Sequence, residues 1–228
     1  WYEAALKALK EQCSQQLLVS TVSTFGKAVH SYITLVPLDH ESSRMLLVVL
    51  KDVSELVRAN QELEQLARHD ALTGLHNRLA ANERLREEFL RMQRTGDQYA
   101  VVIMDIDHFK RVNDGFGHET GDQVLKHVAR LIGDALRSTD FVARFGGEEF
   151  LVVLPNTDLE GARLLAEKLR STVAETPAPV VGQVTLSLGL TLAQPGDANE
   201  DTAVQFSDQA LYRAKNLGRN QLAVECSR

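Results

Sequence analysis

Apolar positions along this chain change their period several times, and each change marks an element. Near the start, Ala4, Ala5, Leu6, Leu9 and Leu17 stand among Lys, Glu and Gln, a helical pattern over residues 1 to about 20. Two sheet-like runs follow, Ser31 to Val36 and Met45 to Leu50, joined by the polar segment Asp39 to Ser43. They read as a hairpin. Two strands alone are barely stable, so further strands are expected from upstream or from another chain. Leu56, Ala59, Leu63 and Leu66 then follow a 3-then-4 spacing between charged residues. That predicts an amphipathic helix over 53–68 carrying about two heptads of coiled-coil seam. A helix packed on its own domain fits the same pattern. Ser54 or Asp52 is its expected N-cap.

From about residue 70 the pattern becomes regular. It predicts a helix from Arg78 to Arg94, a strand from Tyr99 to Asp105, and a loop containing Asn113-Asp114-Gly115 and Gly117. A helix from about Thr120 to Arg137 follows, with Val124, Leu125, Val128, Leu131, Ile132 and Leu136 on its apolar face. Phe141-Val142-Ala143 and Phe150 to Leu154 flank Gly146-Gly147-Glu148-Glu149, which reads as a tight hairpin whose turn presents negative charge. A third helix covers about Leu159 to Val173 before the break at Thr176-Pro177-Ala178-Pro179. Val184 to Leu190 alternates strictly, leaving only Thr185, Ser187 and Gly189 on its second face. That face meets solvent or is closely approached. A last helix ends near Leu217 with Gly218 as its expected C-cap, and a short strand closes the chain.

The order from Tyr99 onward is the split βαββαβ arrangement. Its usual strand order, 4-1-3-2, sets the first strand antiparallel beside the third. That brings Asp105 next to Glu148 and Glu149, more than forty positions away in sequence. Asp105 ends the apolar run Val101 to Met104, where an acid is costly unless paired or metal-bound. Taken alone it reads as a strand-end carboxylate meeting solvent. Together, three carboxylates and a strand-end carbonyl make an oxygen-rich site suited to Mg²⁺ or Mn²⁺.

Composition narrows the function without naming it. The chain has 228 residues, with 44% hydrophobic and 25% charged. Lys plus Arg is 25 and Asp plus Glu is 31, a net charge of −6. That argues against sequence-independent binding to a nucleic-acid polymer, but not against a small nucleotide whose charge metal ions offset. Cys13 and Cys226 stand near opposite ends with no metal-ligand spacing, which fits a reducing, cytoplasmic compartment. No run in the first fifty residues is long enough to span a bilayer. The first residue is Trp1, and a fragment of a longer chain is expected, with membrane contact only through regions upstream.

Arg144-Phe145-Gly146-Gly147-Glu148-Glu149-Phe150 resembles the signature of the GGDEF family, the diguanylate cyclases, in its GGEEF form. Asp70 to Arg78, Asp105-Ile106-Asp107-His108-Phe109-Lys110, Asn113-Asp114, Gly117-His118, Gly121-Asp122 and Ala214 to Asn220 agree with the family in order and spacing. The resemblance covers roughly residues 65–226. It implies an α/β (α+β) fold, a palm-like nucleotidyl cyclase domain with the βαββαβ core. A small α/β fragment and a linker helix precede it. The expected division is 1–52, weakly similar to the end of a PAS-type sensor, 53–69 as signalling helix, and 70–228 as cyclase domain.

The same resemblance implies condensation of two GTP into cyclic di-GMP and two pyrophosphates, by two facing protomers of a homodimer. Asp105, the Ile106 carbonyl, Glu148 and Glu149 would hold two divalent ions per GTP. Glu148 or Glu149 would assist removal of the ribose 3′-hydroxyl proton. Asn113 and Asp122 would read the guanine edge, with His118 lining that pocket. Lys110, Lys215 and Arg219 would neutralise the β- and γ-phosphates, aided by backbone amides of the Phe109 loop, and Gly146 and Gly147 count among the substrate-binding residues. Arg137 and Asp140 match the family's product-inhibition motif, and Lys168 stands where a second arginine is frequent; lysine lacks the planar fork. A catalytically inactive receptor for GTP or cyclic di-GMP is the alternative, and a purely structural dimerisation module leaves the carboxylates unexplained.

Overall fold

The computed structural model describes residues 2–22, 28–40 and 43–226, and the chain divides into two compact units, residues 1–65 and 66–228. In the first, helix α1 (Tyr2–Glu11) precedes strands β1 (Gln15–Val22), β2 (Ala28–His40) and β3 (Ser43–Asp52). They form an antiparallel sheet in the order β1-β2-β3. Ala5 and Ala8 of α1 pack on Leu35 of β2, with Leu17, Ile33 and Leu46 around them.

The expected hairpin is there, but the helix predicted to about residue 20 ends at Glu11. Leu17 lies in β1 opposite Ile33. Gln12 has φ of 52°, which stops the helix, and the β-branched residues after Leu18 favour a strand. The strand expected from elsewhere is therefore supplied by this chain. Of the polar segment expected at Asp39 to Ser43, residues 41 and 42 lie outside the described residues.

Helix α2 (Ser54–Arg68) begins in the first unit and ends in the second. The Asp52 carboxylate accepts from the Ser54 amide at 2.9 Å and from its hydroxyl at 2.6 Å, so Asp52 caps the helix. Leu56 of the expected seam is exposed; the side chains of Leu63 and Leu66 lie outside the described set.

The second unit contains helices α3 (Arg78–Thr95), α4 (Phe109–Phe116), α5 (His118–Ala135), α6 (Leu159–Glu175) and α7 (Asp201–Asn216). Its strands are β4 (Tyr99–Ile106), β5 (Phe141–Arg144), β6 (Glu149–Pro155), β7 (Leu186–Leu192) and β8 (Leu222–Cys226). The five-stranded sheet runs β5-β6-β4-β7-β8. Its first four strands give the expected order, and β8 adds a parallel edge beside β7.

Alternate residues of central strand β4 feed two cores. Val102, Met104 and Ile106 face the apolar sides of α5 and α6. Val101 and Ile103 join Leu85 and Met92 of α3 and Ala203 and Leu211 of α7. The helices have local reasons to start where they do. Asn77 caps α3 by accepting from the Ala80 amide at 3.1 Å, and Asp158 caps α6 by accepting from Gly161 at 2.8 Å.

Strand β7 sits two residues later than expected, and its polar face is closely approached rather than solvated. A Cβ on Gly189 would lie 2.0 Å from the Ser207 carbonyl and 2.3 Å from the Leu211 amide of α7. Small residues on both sides bring the helix backbone onto the sheet.

The segment from Phe109 to Phe116, expected as a loop, is helical because Phe109 and Val112 are buried one turn apart. Burial of those two side chains overrides the weak helix propensity of Asn113-Asp114-Gly115. Helix α7 ends as expected: Leu217 is its last half-turn residue, Gly218 follows with φ of 120°, and the Arg219 amide returns to the Ala214 carbonyl at 3.0 Å. Among the described residues, no helix is long and apolar enough to cross a membrane.

Candidate active site

The site forms where β4, the β5–β6 turn, α4 and α7 meet. Asp105 at the end of β4 pairs in register with Glu149, the first residue of β6. The Ile106 amide donates to the Glu148 carbonyl at 3.3 Å, which fixes the turn against the strand end. Asp105 is only 8% exposed, and Lys215 on α7 reaches its Oδ2 at 2.8 Å. Burial raises the Asp105 carboxyl above its ordinary value; Lys215 pulls it back and Asp107 pushes it up. Burial, and then the charge of Asp105, raise Glu149 as well.

These two carboxylates repel each other in a half-dry place and face a single lysine, a donor set that fits a hard divalent cation. Asp105 and Glu149 are brought together as expected. Glu148 reaches the site through its backbone carbonyl, and among the described residues no three acidic, histidine or cysteine side chains converge into a ready-made metal cage.

The turn itself is held from outside. Arg144 donates through Nε and Nη2 to the Gly147 carbonyl at 3.0 and 2.7 Å. Its Nη1 reaches both oxygens of Asp70, at 3.1 and 3.2 Å. Asp70 also accepts from the Thr73 amide at 2.9 Å and hydroxyl at 2.7 Å. Gly146 allows the turn to close: a Cβ there would stand 2.4 Å from Glu149 Oε2. Gly147 meets nothing nearby, so its part is the carbonyl that Arg144 holds.

Helices α4 and α5 pack as a pair and carry Asn113, His118 and Asp122. Gly121 makes room for the Asn113 amide, since a Cβ would lie 1.9 Å from Asn113 Oδ1. Asn113 therefore lies against the residue that precedes Asp122. His118 and Asp122 are exposed, as are Lys110 and Arg219. Phe109 is buried at the start of α4, whose N-terminal amides suit an anion.

Away from this centre, Arg137, Asp140 and Lys168 line one cleft of about 580 Å³ together with Asn156, Thr157 and Leu164. The Asp140 carboxylate accepts from the Arg137 amide at 3.0 Å, which closes the turn between α5 and β5.

Sequence reasoning gave no role to Arg144, Asp70 or Asp107, although all three lie inside the quoted motifs. Asp107 is 7% exposed and is hydrogen-bonded by Thr185, Ser187 and Asn220. A signal was present: Thr185 and Ser187 are the polar residues on the second face of an otherwise aliphatic strand.

The family model described as diguanylate cyclase, GGDEF domain, matches residues 67–221. The chain belongs to the GGDEF family, a family of nucleotidyl cyclases that generally use divalent metals. It is 47% identical over 167 residues to diguanylate cyclase DgcP of Pseudomonas aeruginosa, covering 72% of this chain and 25% of that protein. It is 36% identical over 186 residues to diguanylate cyclase DgcM of Escherichia coli, covering 82% of this chain and 45% of that one. The chain thus spans less than half of either curated relative.

Among solved structures, it is similar to the coiled coil and GGDEF domain of DgcB from Caulobacter crescentus in complex with cyclic di-GMP. That match has a TM-score of 0.70 and 31% identity, covering 76% of this chain and 95% of that one. The active GGEEF domain of a Vibrio cholerae diguanylate cyclase matches with a TM-score of 0.64 and 37% identity, covering 67% and 98%.

Proposed function

We propose that this chain is a diguanylate cyclase, condensing two GTP into cyclic di-GMP with release of two pyrophosphates. The observation that carries it is the pairing of Asp105 with Glu149 beneath Lys215, inside a domain of this family. In each half-reaction a ribose 3′-oxygen attacks the α-phosphorus of the second GTP. The new P–O bond forms as the bond to pyrophosphate breaks, and the 3′-proton leaves. Two such events close the ring, which requires two protomers facing each other as a homodimer.

The roles fall on this chain's residues as follows. Asp105, the Ile106 carbonyl, Glu148 and Glu149 would hold Mg²⁺ or Mn²⁺, two ions per GTP. When bound there, divalent ions would supply charge neutralisation at the α-phosphate and acidity at the 3′-hydroxyl. Glu148 or Glu149 takes up the proton. Asn113 and Asp122 recognise the guanine edge beside His118. Lys110, Lys215, Arg219 and the amides at the start of α4 hold the β- and γ-phosphates. The pairing of Lys215 with Asp105 supports this assignment, because it keeps a cation at the strand end where the phosphates would arrive.

Arg137, Asp140 and Lys168 form the product site in the 580 Å³ cleft. Residues 1–52 are a PAS-like sensor segment, 53–69 the signalling helix and 70–228 the cyclase domain, working in the cytoplasm. The test is incubation of the chain with GTP and Mg²⁺ followed by chromatography. Cyclic di-GMP and pyrophosphate are expected in a 1:2 ratio set by the reaction. Retained GTP with no product at high protein concentration would replace this reading with that of a nucleotide receptor.

A further inference from the structure

Beyond the catalytic centre, the segment after α7 runs through three successive residues of positive φ, of which Arg219 is the one whose side chain does not favour it. Gly218, Arg219 and Asn220 have φ of 120°, 65° and 44° in succession. Two consecutive non-glycine residues in the left-handed region are uncommon and costly, and they persist only where the surroundings hold them.

The surroundings hold this segment at Asn220 from two sides. From the sheet side, Asp107 Oδ2 accepts the Asn220 amide at 3.0 Å. The same carboxylate is anchored by the Thr185 hydroxyl at 2.7 Å and the Ser187 hydroxyl at 2.6 Å. From the other side, Arg170 on α6 donates through Nη1 to Asn220 Oδ1 at 2.9 Å and to its carbonyl at 3.5 Å. Arg170 is itself oriented by Glu167, which accepts from its Nε at 2.8 Å. Every polar group of Asn220 named here is thus taken by one of two charged side chains, neither on its own element.

The residue so fixed stands directly beside Arg219. The Arg219 amide donates to the Ala214 carbonyl at 3.0 Å, so its backbone is pinned as well. Its guanidinium charge is close enough to act on the Asp105 carboxyl. Arg219 is exposed and carries a long side chain, and a backbone already set removes the backbone part of the entropic cost of ordering it on a ligand.

We propose that Asp107 and Arg170 are positioning residues that clamp Asn220 and thereby aim Arg219 at the terminal phosphates of the substrate. This rests on the assignment of Arg219 to the phosphates made above. Neither clamp residue is assigned a contact with substrate; both act through Asn220. Asp107 acts from the turn directly after β4, whose end carries Asp105, and Arg170 acts from α6, which also carries Lys168 of the product cleft. Their effect falls on the triphosphate end of the ligand and spares recognition of the base.

The test compares two ligands that the chain cannot condense, measured by calorimetry on the whole chain with Mg²⁺. One is 3′-deoxy-GTP, which lacks the attacking hydroxyl. The other is GMP, which lacks the pyrophosphate leaving group and the outer phosphates. Arg170→Met is expected to weaken 3′-deoxy-GTP on the order of tenfold, the scale of one charge-assisted hydrogen bond, and to leave GMP unchanged. Arg170→Lys should restore part of the loss. With GTP, KM should rise more than kcat falls. Asp107→Asn, which removes the charge and one acceptor oxygen from the anchor of Asn220, should shift 3′-deoxy-GTP in the same direction. If it fails to fold, Arg170→Met carries the test alone.

Arg219→Ala separates the two layers of the reading. Selective loss of 3′-deoxy-GTP in Arg219→Ala, with Arg170→Met unchanged, overturns the clamp and leaves the phosphate assignment standing. Equal loss of both ligands in Arg170→Met also overturns it, since that is general destabilisation. No loss in Arg219→Ala overturns the phosphate assignment and the clamp with it.

Discussion

Arg144 joins Asp70 at 3.1 and 3.2 Å across seventy-four positions of sequence, and with the rest of its guanidinium it holds the Gly147 carbonyl. One side chain therefore ties the segment leading out of α2 to the turn that carries Glu148 and Glu149. Burial works to raise the Asp70 carboxyl, but the hydrogen bonds from Thr73 and the Arg144 guanidinium outweigh it and hold it below 3.8. A carboxyl lowered in the folded state stabilises that state fully above its unfolded value. The contribution is lost as pH falls through the lower folded value.

Asp70→Asn keeps the shape and removes the charge. It is expected to cost about 1.5–3 kcal/mol near neutral pH, the scale of hydrogen bonds to a charged group. The difference from the parent chain should shrink as pH falls below 3.8. Arg144→Lys should lower turnover more than stability, because a lysine cannot serve Asp70 and Gly147 together. Denaturation curves across pH and initial rates of product formation check both. Equal stability differences at every pH would show that the charge is not what the pair contributes.

Glu149 carries the opposite sign. Its carboxyl is raised from 4.5, first by burial and then by Asp105. The folded chain therefore binds this proton more tightly than the unfolded one, and stability declines as pH rises from 4.5 through the raised value. Glu149→Gln is expected to raise the thermal midpoint of the metal-free chain near neutral pH while abolishing cyclic di-GMP formation. Mg²⁺ should stabilise the parent chain and have a smaller effect on the variant. Scanning calorimetry with and without Mg²⁺ reads this. A variant less stable than its parent at pH 7 would contradict the electrostatic account.

How far the sequence could be read follows from where the information lies. The pairing of Asp105 with Glu149 was legible because β4 and β6 are long apolar runs in a recurring topology. The split between α1 and β1 was not, because Leu17 suits a helix face and a strand equally, and the break is only three residues long, Gln12-Cys13-Ser14. Helix α4 was hidden by Asn113-Asp114-Gly115, a turn by composition that becomes helical only when Phe109 and Val112 find a core. Asp107 was visible as a residue and invisible as a hub, since its partners come from strand and loop segments nearly eighty or more positions away. The unusual bareness of the β7 polar face was the trace it left, and the approach of α7 explains the rest of that face.

That approach makes Gly189 a stringent position. An added Cβ would lie 2.0 Å from one backbone atom of α7, 2.3 Å from a second and 2.9 Å from a third. Backbone cannot rotate aside as a side chain can, so helix and sheet must separate. Gly189→Ala is expected to destabilise the chain by about 1–3 kcal/mol or more, the range for overpacked cores. Lys215 should move with α7, so GTP affinity should fall too. Chemical denaturation and calorimetry measure the two effects. An unchanged unfolding midpoint would mean that the contact relaxes without cost.

Gly121 presents the reverse case, where stability and function should part company. It lies inside α5, and alanine in a helix interior is favoured over glycine by about 0.5–1 kcal/mol. The Cβ of alanine would stand 1.9 Å from Asn113 Oδ1 and 3.1 Å from its Cγ, so the amide must swing away. Those atoms end a movable side chain, which keeps the structural penalty small. If Asn113 reads the guanine edge, Gly121→Ala should therefore leave the unfolding midpoint equal to the parent's or higher, and lower affinity for GTP and for GMP alike. Gly133 in the same helix is the control, since a Cβ there meets nothing within 4 Å. Gly133→Ala should stabilise the chain and leave ligand binding as it was. Undiminished GMP binding in Gly121→Ala would remove Asn113 from the guanine pocket and leave Asp122 and His118 to account for recognition of the base.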